Sequence, residues 1–313
     1  MEVAINLGFV KDRILLETSW YQNRSDNQLV GLPVPPSVGF SSVQANLPAV
    51  LQNTGIEISL NTVNVKSGAF TWSSYFNISV PRNKLISYPG LKNSPYANTY
   101  TIGKPISNQK SFHFLGVDPK TGIYKFQDLD GSGTGTDYPG DLQASAKEIG
   151  QNYYGGLDNK LSFKGFQLDF LFQFVKQTGQ DYVFNNAGSL PGTMYNQPVE
   201  VLNRWQKSGD KAPYQLFSTG GGNSGAFLAW IYASYFGDSR FTDASFIRLK
   251  NVSVSYQLSS KWVKSLKIDQ ASIFIQGQNL LTITSFIGPD PESQVIGVLP
   301  PLRTFVAGIR LTL

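Results

Sequence analysis

Alternation of apolar and polar residues with a period of two runs through most of this chain, and it constrains the fold more than any other feature. In the segment Phe166 to Phe174 every even position is apolar and three of the four odd positions are polar, so four phenylalanines share one face. Val252, Val254, Tyr256 and Leu258 alternate with Ser253, Ser255 and Gln257, and Val3, Ile5, Leu7 and Phe9 alternate with Ala4, Asn6 and Gly8. Phe70, Trp72, Phe76, Ile78 and Val80 follow the same rule. So do Phe305, Ala307, Ile309, Leu311 and Leu313, set against Val306, Gly308, Arg310 and Thr312. A helix cannot sort residues this way, because its period is 3.6. The pattern predicts an all-β fold of strands with one greasy and one wet face.

Composition decides what covers the greasy face. Hydrophobic residues make up 41% of the 313 positions and aromatics 13%, which is enough to bury a large surface. Charged residues make up only 15%, against roughly 25% in ordinary soluble domains, and no helical layer is evident that would cover the aromatic rows. No apolar run approaches the roughly 18 residues of a spanning helix, so a membrane role falls to strands, closed as a barrel. A large soluble β-sandwich is the alternative on pattern alone.

The totals also remove chemistry. There is no cysteine and a single histidine, His113, which excludes disulfides, thiolate sites and any site needing two histidines. A net charge of +5 without a basic run gives no reason to expect nucleic acid as a partner. Met1-Glu2-Val3-Ala4 has neither a basic nor an apolar leader region, so a secreted reading expects this chain to be a piece of something longer.

Connection lengths alternate as well. Short links are expected near Val10 to Arg13, Lys66 to Gly68, Lys164-Gly165 and Ser259 to Lys264, and long ones over 31–51, 85–151, 180–245 and 285–301. Outer-membrane barrels keep this rhythm of short periplasmic turns and long extracellular loops. The expected strand count is about nine, or about eleven if residues 104–127 form a further hairpin in the wall. An odd count in a barrel family with even counts leaves at least one strand to be supplied from upstream.

Several segments, in order, resemble the last third of one family. They are NTGIEISL (Asn53 to Leu60), GVDPKTGIYKFQDLDGSG (Gly116 to Gly133), NYYGGLDNKLSFKGFQLDF (Asn152 to Phe170), LNRWQKSGD (Leu202 to Asp210), FIRLKNVSVSYQL (Phe246 to Leu258), GQNLLTIT (Gly277 to Thr284), GPDPES (Gly288 to Ser293) and LPPLRTFVAGIRLTL (Leu299 to Leu313). Together they resemble the SusC/RagA-like TonB-dependent outer-membrane transporters. The resemblance implies that 1–313 is the C-terminal part of a transmembrane β-barrel domain of about 22 strands. It also implies an N-terminal plug and a TonB-contacting segment outside this chain, a SusD-like surface lipoprotein as lid, and residence in the Gram-negative outer membrane. Where the family commonly ends on an aromatic residue, this sequence has Leu313, and Ser132 stands where a further acid is common.

Within that frame three features carry possible chemistry. DLDGSGTGTD, from Asp128, has carboxylates at the first and third positions and glycine or serine steps that favour a sharp turn. Asp128, Asp130 and Asp137 are the candidate calcium ligands, although Pro139 stands where a calcium loop would place its glutamate. A plain polar turn is the other reading. Tyr195, Trp205, Tyr214, Trp230, Tyr232 and Tyr235 crowd the longest loop; they either contact a sugar or peptide ligand or a lid, or pack the loop onto the barrel. His113, between Phe112 and Phe114, reads as structural, and Gly220-Gly221-Gly222 lacks the strand, helix and Lys-Ser context of a phosphate loop. No pairing of carboxylates demands catalysis, so the chain is read as a non-enzyme. The functions that remain are TonB-dependent import of oligosaccharide or peptide, a non-transporting outer-membrane barrel or receptor, and a soluble carbohydrate-binding β-sandwich.

Overall fold

The computed structural model describes residues 1–145, 147–185, 190–220, 224–259, 263, 268–295 and 297–312. Sixteen strands occur among them. The first six are β1 (Glu2–Phe9), β2 (Ile14–Ser25), β3 (Gln28–Pro33), β4 (Ser42–Leu47), β5 (Val50–Ser67) and β6 (Phe70–Ser87). Four short ones follow: β7 (Lys110–Ser111), β8 (Phe114–Val117), β9 (Tyr124–Phe126) and β10 (Gln143–Ala144). The remainder are β11 (Gly150–Phe163), β12 (Phe166–Gln180), β13 (Phe241–Asp243), β14 (Phe246–Gln257), β15 (Gln270–Thr284) and β16 (Thr304–Thr312). Two short helices, α1 (Tyr182–Asn185) and α2 (Ser224–Ile231), lie between β12 and β13.

One antiparallel sheet takes nine of these strands in the order β1-β2-β5-β6-β11-β12-β14-β15-β16, and β13 joins it through β12. This is a meander in which each long strand pairs with the next, and it agrees with the expected count of about nine. The hairpin expected in 104–127 does form, as β8 and β9, but as a separate two-stranded sheet. Among the described residues this hairpin therefore does not bring the wall to eleven strands: a hairpin needs only its own turn, whereas membership of the wall needs a partner strand on the neighbouring edge. β3 and β4 form another such outlying hairpin.

The turns follow local chemistry. Lys164 and Gly165 both take left-handed φ (46° and 90°), the two-residue geometry whose twist matches that of the flanking strands. Val10, Lys11 and Asp12 do the same in the β1–β2 link, at φ of 56°, 54° and 62°. The β14–β15 link runs from Leu258 to Asp269, longer than expected, and 260–262 and 264–267 of it lie outside the described residues.

Register turns the one-dimensional alternation into two faces. One row across the sheet reads Leu7, Leu16, Leu60, Phe76, Leu157, Phe172, Leu249 and Leu281, each the partner of the next. The adjacent row reads Asn6, Glu17, Ser59, Asn77, Gly156, Gln173, Arg248 and Thr282. Bulges at Val63/Val65, Leu171/Phe172 and Leu249/Asn251 shift the pairing locally, and the apolar and polar rows continue on either side of them. The apolar face is uncovered: Ile275 is 63% exposed and Ile309 68%. Where Asn64, Ser74 and Asn159 meet on that face, the polar groups satisfy one another. Asn64 Nδ2 donates to Ser74 Oγ (2.7 Å), which donates to Asn159 Oδ1 (2.7 Å), and Trp72 Nε1 donates to the same oxygen (3.0 Å).

The larger buried cluster lies off the sheet, while a smaller one joins Ala49, Leu85 and Tyr88 at the β5–β6 end. Phe112, Tyr124 and Phe126 come from the β6–β11 connection, and Val183, Phe184, Leu190, Val201 and Trp230 come from the β12–β14 connection; together they form one hydrophobic cluster. The two longest loops therefore fold into a shared cap at one end of the wall.

Candidate ligand-facing site: the cap and the polar face

Helix α2 shows how the cap is assembled. Ala226, Ala229 and Trp230 are buried at helical spacing, as is Ala233 in the π-helical turn Tyr232–Phe236 that follows, while Phe227 and Leu228 stay exposed. Small alanines let the chain approach closely, so the Trp230 indole slides between Phe184 (5.6 Å between centroids) and Tyr124 (6.3 Å), stacked on both. Gln215, 1% exposed, ties the two loops: its Oε1 accepts the Tyr124 N–H (3.3 Å) and its Nε2 donates to Ala226 O (2.7 Å). The Phe112 N–H donates to Phe236 O, and the Asp238 N–H donates to Phe112 O.

His113 belongs to this seam. Its Nδ1 lies 2.7 Å from Asp238 Oδ2, and Asp238 Oδ1 accepts the Phe114 N–H at 2.9 Å. Asp238 is 3% exposed, so one buried carboxylate holds the backbone and ring of the partner loop together. The structural reading of His113 fits this arrangement.

The six aromatics singled out in sequence separate into two groups. Trp230 is 1% exposed, its ring covered by the cap core, and cannot meet a ligand without unfolding the cap. Tyr232 packs edge-on against Phe112 at 5.6 Å. Tyr214 leans on Phe184 (6.3 Å), and burial, with smaller contributions from Asp181 and Glu200, pushes its hydroxyl pKa up to about 12. Trp205 lies over Gly122 and donates from Nε1 to Pro119 O (3.0 Å), closing the cap from the side. Tyr195 (68%) and Tyr235 (47%) remain exposed and able to touch a partner. Packing therefore accounts for four of the six.

The acidic loop assembles around a different third acid from the one expected. One oxygen each from Asp128, Asp130 and Asp141 lies within 4.8 Å of the others. Asp137 takes part through its backbone, its N–H donating to Asp141 Oδ2 (2.8 Å) and its carbonyl accepting the Asp141 N–H (2.9 Å). The correction has a simple origin: a calcium loop calls for an acid at the twelfth position, which is Pro139 here, and the chain supplies Asp141 two residues later. Asp128 accepts the N–H groups of Gly133 (2.9 Å) and Gly131 (2.7 Å), Asp130 that of Ser132 (3.0 Å), and Asp141 also that of Leu129 (2.6 Å). The Gly133 N–H, ahead of the others, holds the Asp128 carboxyl below its usual range. One converging oxygen from each of three carboxylates makes three ligands, fewer than the six to eight calcium takes, so any ion held here would complete its shell with the second carboxylate oxygens, backbone oxygens or water.

On the polar face, Arg248 of β14 is 2% exposed and forms ion pairs with Asp290 and, at 2.6 Å, with Glu292, while its Nε donates to Thr282 Oγ1 (3.0 Å). Lys250 also reaches Glu292 (2.9 Å). Gln177 Nε2 donates to Pro291 O (2.8 Å). The GPDPES segment is thereby fastened against the wall. Sequence reading missed this latch; its available signal was a lone arginine inside a period-two strand whose opposite row is apolar. Gly221 and Gly222 lie outside the described residues.

No protein-family model matches the chain. Individual proteins do. TonB-dependent receptor P3 of Formosa agariphila is 23% identical over 99% of this chain and 33% of its own length. TonB-dependent receptor P26 of the same organism is 26% identical over 95% of the chain and 31% of itself. TonB-dependent receptor SusC of Bacteroides thetaiotaomicron is 23% identical over 98% and 31%. Among solved structures, the RagAB peptide transporter shares the fold at a TM-score of 0.79 with 23% identity, covering 99% of this chain and 34% of the other. The RagAB importer in its open-open state scores 0.78 at 22% identity. The chain spans about a third of the length of the curated relatives it matches. Ordered motifs, a two-faced antiparallel meander and likeness along almost the whole chain agree: the chain is similar to TonB-dependent receptors, SusC among them, and shares the fold of the RagAB transporter.

Proposed function

We propose that this chain is the C-terminal barrel portion of a TonB-dependent outer-membrane importer, in which it supplies wall and extracellular loops. The observation that carries the reading is the pairing of an uncovered apolar row with a polar row across eight consecutive strands. An apolar face of that extent needs hydrocarbon, and a polar opposite face needs water or a polar plug. The cargo on this reading is an oligosaccharide or a peptide. SusC and RagAB among the similar proteins support a SusD-like lipoprotein above the cap and energy delivered through TonB to regions beyond this chain. The exposed Tyr195 and Tyr235 are the cap residues we assign to lid or cargo contact.

The full-length receptor carrying this chain should fractionate with outer membrane and require detergent. Recovery as a soluble monomer without detergent would overturn the barrel and favour a sandwich. A receptor that is membrane-bound but takes up no labelled oligomer in a TonB-dependent manner would instead be a non-transporting barrel.

A further inference from the structure

Across β2, β5 and β6 the apolar face changes character at one level. Cross-strand partners on that face run Leu16–Leu60–Phe76, Thr18–Ile58–Ile78 and Trp20–Ile56–Val80, then Gln22–Thr54–Arg82 and Arg24–Gln52–Lys84 toward the long loops. The pairing is regular from Leu51 to Val63, so all five rows lie on one side of the sheet. Hydrocarbon suits the first three rows, which are apolar but for Thr18, and excludes the last two. We propose that Arg82, Lys84 and Arg24 bind the headgroup phosphate of a phosphorylated lipid in the outer leaflet, with its acyl chains on the apolar rows below. The inference rests on the barrel reading and goes beyond it, to a lipid bound on the outside of the wall.

Trp20, 36% exposed in the last apolar row, marks the boundary, where barrels place aromatic residues at the interface. Arg82 and Lys84 stand two residues apart on one strand, about 7 Å, so both side chains reach one phosphate. Arg24 lies two strands from Lys84, at roughly 10 Å, within reach of a second oxygen of the same headgroup. Its Nε donates to Gln52 Oε1 (2.7 Å), which orients the guanidinium. Arg82 sits where the β6–β11 ladder has ended at Ser79↔Tyr154, and its Nη1 donates to Pro81 O (2.8 Å) and Asn152 O (2.7 Å). Those bonds hold the guanidinium in the fork between the strands and leave Nε and Nη2, a pair that matches two phosphate oxygens, to an outside acceptor. Above the fork Gly103 and Lys104 take the place of β11: the Leu85 N–H donates to Lys104 O (2.9 Å) and the Gly103 N–H to Leu85 O (2.8 Å). A Cβ on Gly103 would lie 3.9 Å from Lys84 Cε, so the Lys84 stem runs along the glycine backbone, with Lys104 next in the chain.

Charge at this level is unbalanced. The ion pairs among the described residues leave out Arg24, Arg82, Lys84 and Lys104, although Asp26 follows Arg24 by two residues and Glu148 lines a cleft beside Arg82. Lys176 of β12 follows Phe172 and Phe174 on the same face, but Asp243 already neutralises it at 2.7 Å. The unpaired cations are thus confined to β2–β6 and the segment beside it. At the short-link end the same face closes on the uncharged Phe70, Trp72, Leu161 and Phe163. Cations at one end of a lipid-facing surface and rings at the other suit a bilayer whose phosphate-bearing lipid is in the leaflet on the loop side.

The test titrates the detergent-purified full-length receptor, stripped of co-purifying lipid, with lipid A, with enzymatically dephosphorylated lipid A and with inorganic phosphate, and reads bound ligand by native mass spectrometry. Lipid A should bind, and loss of its phosphates should weaken it by about tenfold or more. Lys84→Gln and Arg24→Gln should each weaken lipid A roughly fivefold, and raised salt should shrink the difference. Lys176→Gln, whose charge Asp243 already meets, should leave affinity unchanged. Heat-modifiable gel mobility checks that each variant is folded, and the dephosphorylated ligand tests the same contact without any substitution. A folded outer-membrane receptor that binds both forms of lipid A equally, binds lipid A independently of Lys84 and Arg24, or binds inorganic phosphate as tightly as lipid A overturns this inference and leaves the barrel reading standing. A receptor that never reaches the outer membrane overturns both.

Discussion

The wall and the cap draw on the same aromatic residues to opposite ends. In the wall, Phe76 and Phe174 stack at 5.9 Å and Phe70 meets Phe163 edge-on at 6.5 Å, all on a face that the protein leaves open. In the cap, Phe112, Tyr124, Phe184 and Trp230 turn inward and exclude solvent from one another. The wall is held by backbone ladders between sequence neighbours, and its hydrophobic partner lies outside the molecule. The cap has few ladders, and its hydrophobic partner is another loop, more than 50 residues away. Residue type does not distinguish the two regions; what the backbone offers each ring as a partner does.

The sharpest way to break the comparison is Trp230→Ala. Removing a fully buried indole should cost about 3–5 kcal/mol, confined to the cap. Hydrogen exchange should then accelerate in β8, β9 and α2 while the wall amides of β11, β12 and β14 stay protected; loss of protection in both would mean that cap and wall fold as one unit. Next comes Ile275→Arg against Gln276→Arg, neighbours at one depth on opposite faces of β15. The first should lower the yield of folded barrel by about 2–4 kcal/mol and the second should be nearly silent, as read by heat-modifiable mobility. Equal tolerance would mean that the apolar row does not meet lipid.

A smaller effect is expected from Asp238→Ala, which strips the Phe114 N–H and His113 of their acceptor. Local destabilisation of about 1–3 kcal/mol should appear as faster exchange in 112–117, with the wall unaffected. The smallest effect concerns the acidic loop. If Asp128, Asp130 and Asp141 hold calcium, added calcium should raise the thermal midpoint of the full-length receptor by mass action, and Asp141→Ala should abolish the rise. No rise in the unsubstituted protein would assign the loop to its backbone hydrogen bonds alone.

How far each region can be read from sequence follows from the same contrast. Period-two alternation from 166 to 174 and at 252–258 is a local signal, and β12 and β14 appear where it predicts, as does the tight turn at Lys164-Gly165. The hairpin β8–β9 was legible as a hairpin, but its exclusion from the wall was not, since that depends on which edge is free when it forms. Cap contacts such as Phe112 with Gly237, or Gln215 with Ala226, join segments that have no shared period, so no window along the chain contains them. Asp141 was missed for a related reason. A ligand spacing learned from one loop shape shifts when the connecting backbone takes another path.

The common core of the two long loops has a consequence for how such a protein diversifies. Phe112, Tyr124 and Phe126 are packed by residues of the 181–245 loop, so neither loop is a free appendage on which insertions can accumulate alone. Grafting the 85–151 loop of a relative onto this wall would strand its aromatics against a mismatched partner. Grafting both loops together would carry the interface along. Specificity in this architecture should therefore be inherited in pairs of loops, with recombination breakpoints falling in the wall strands between them.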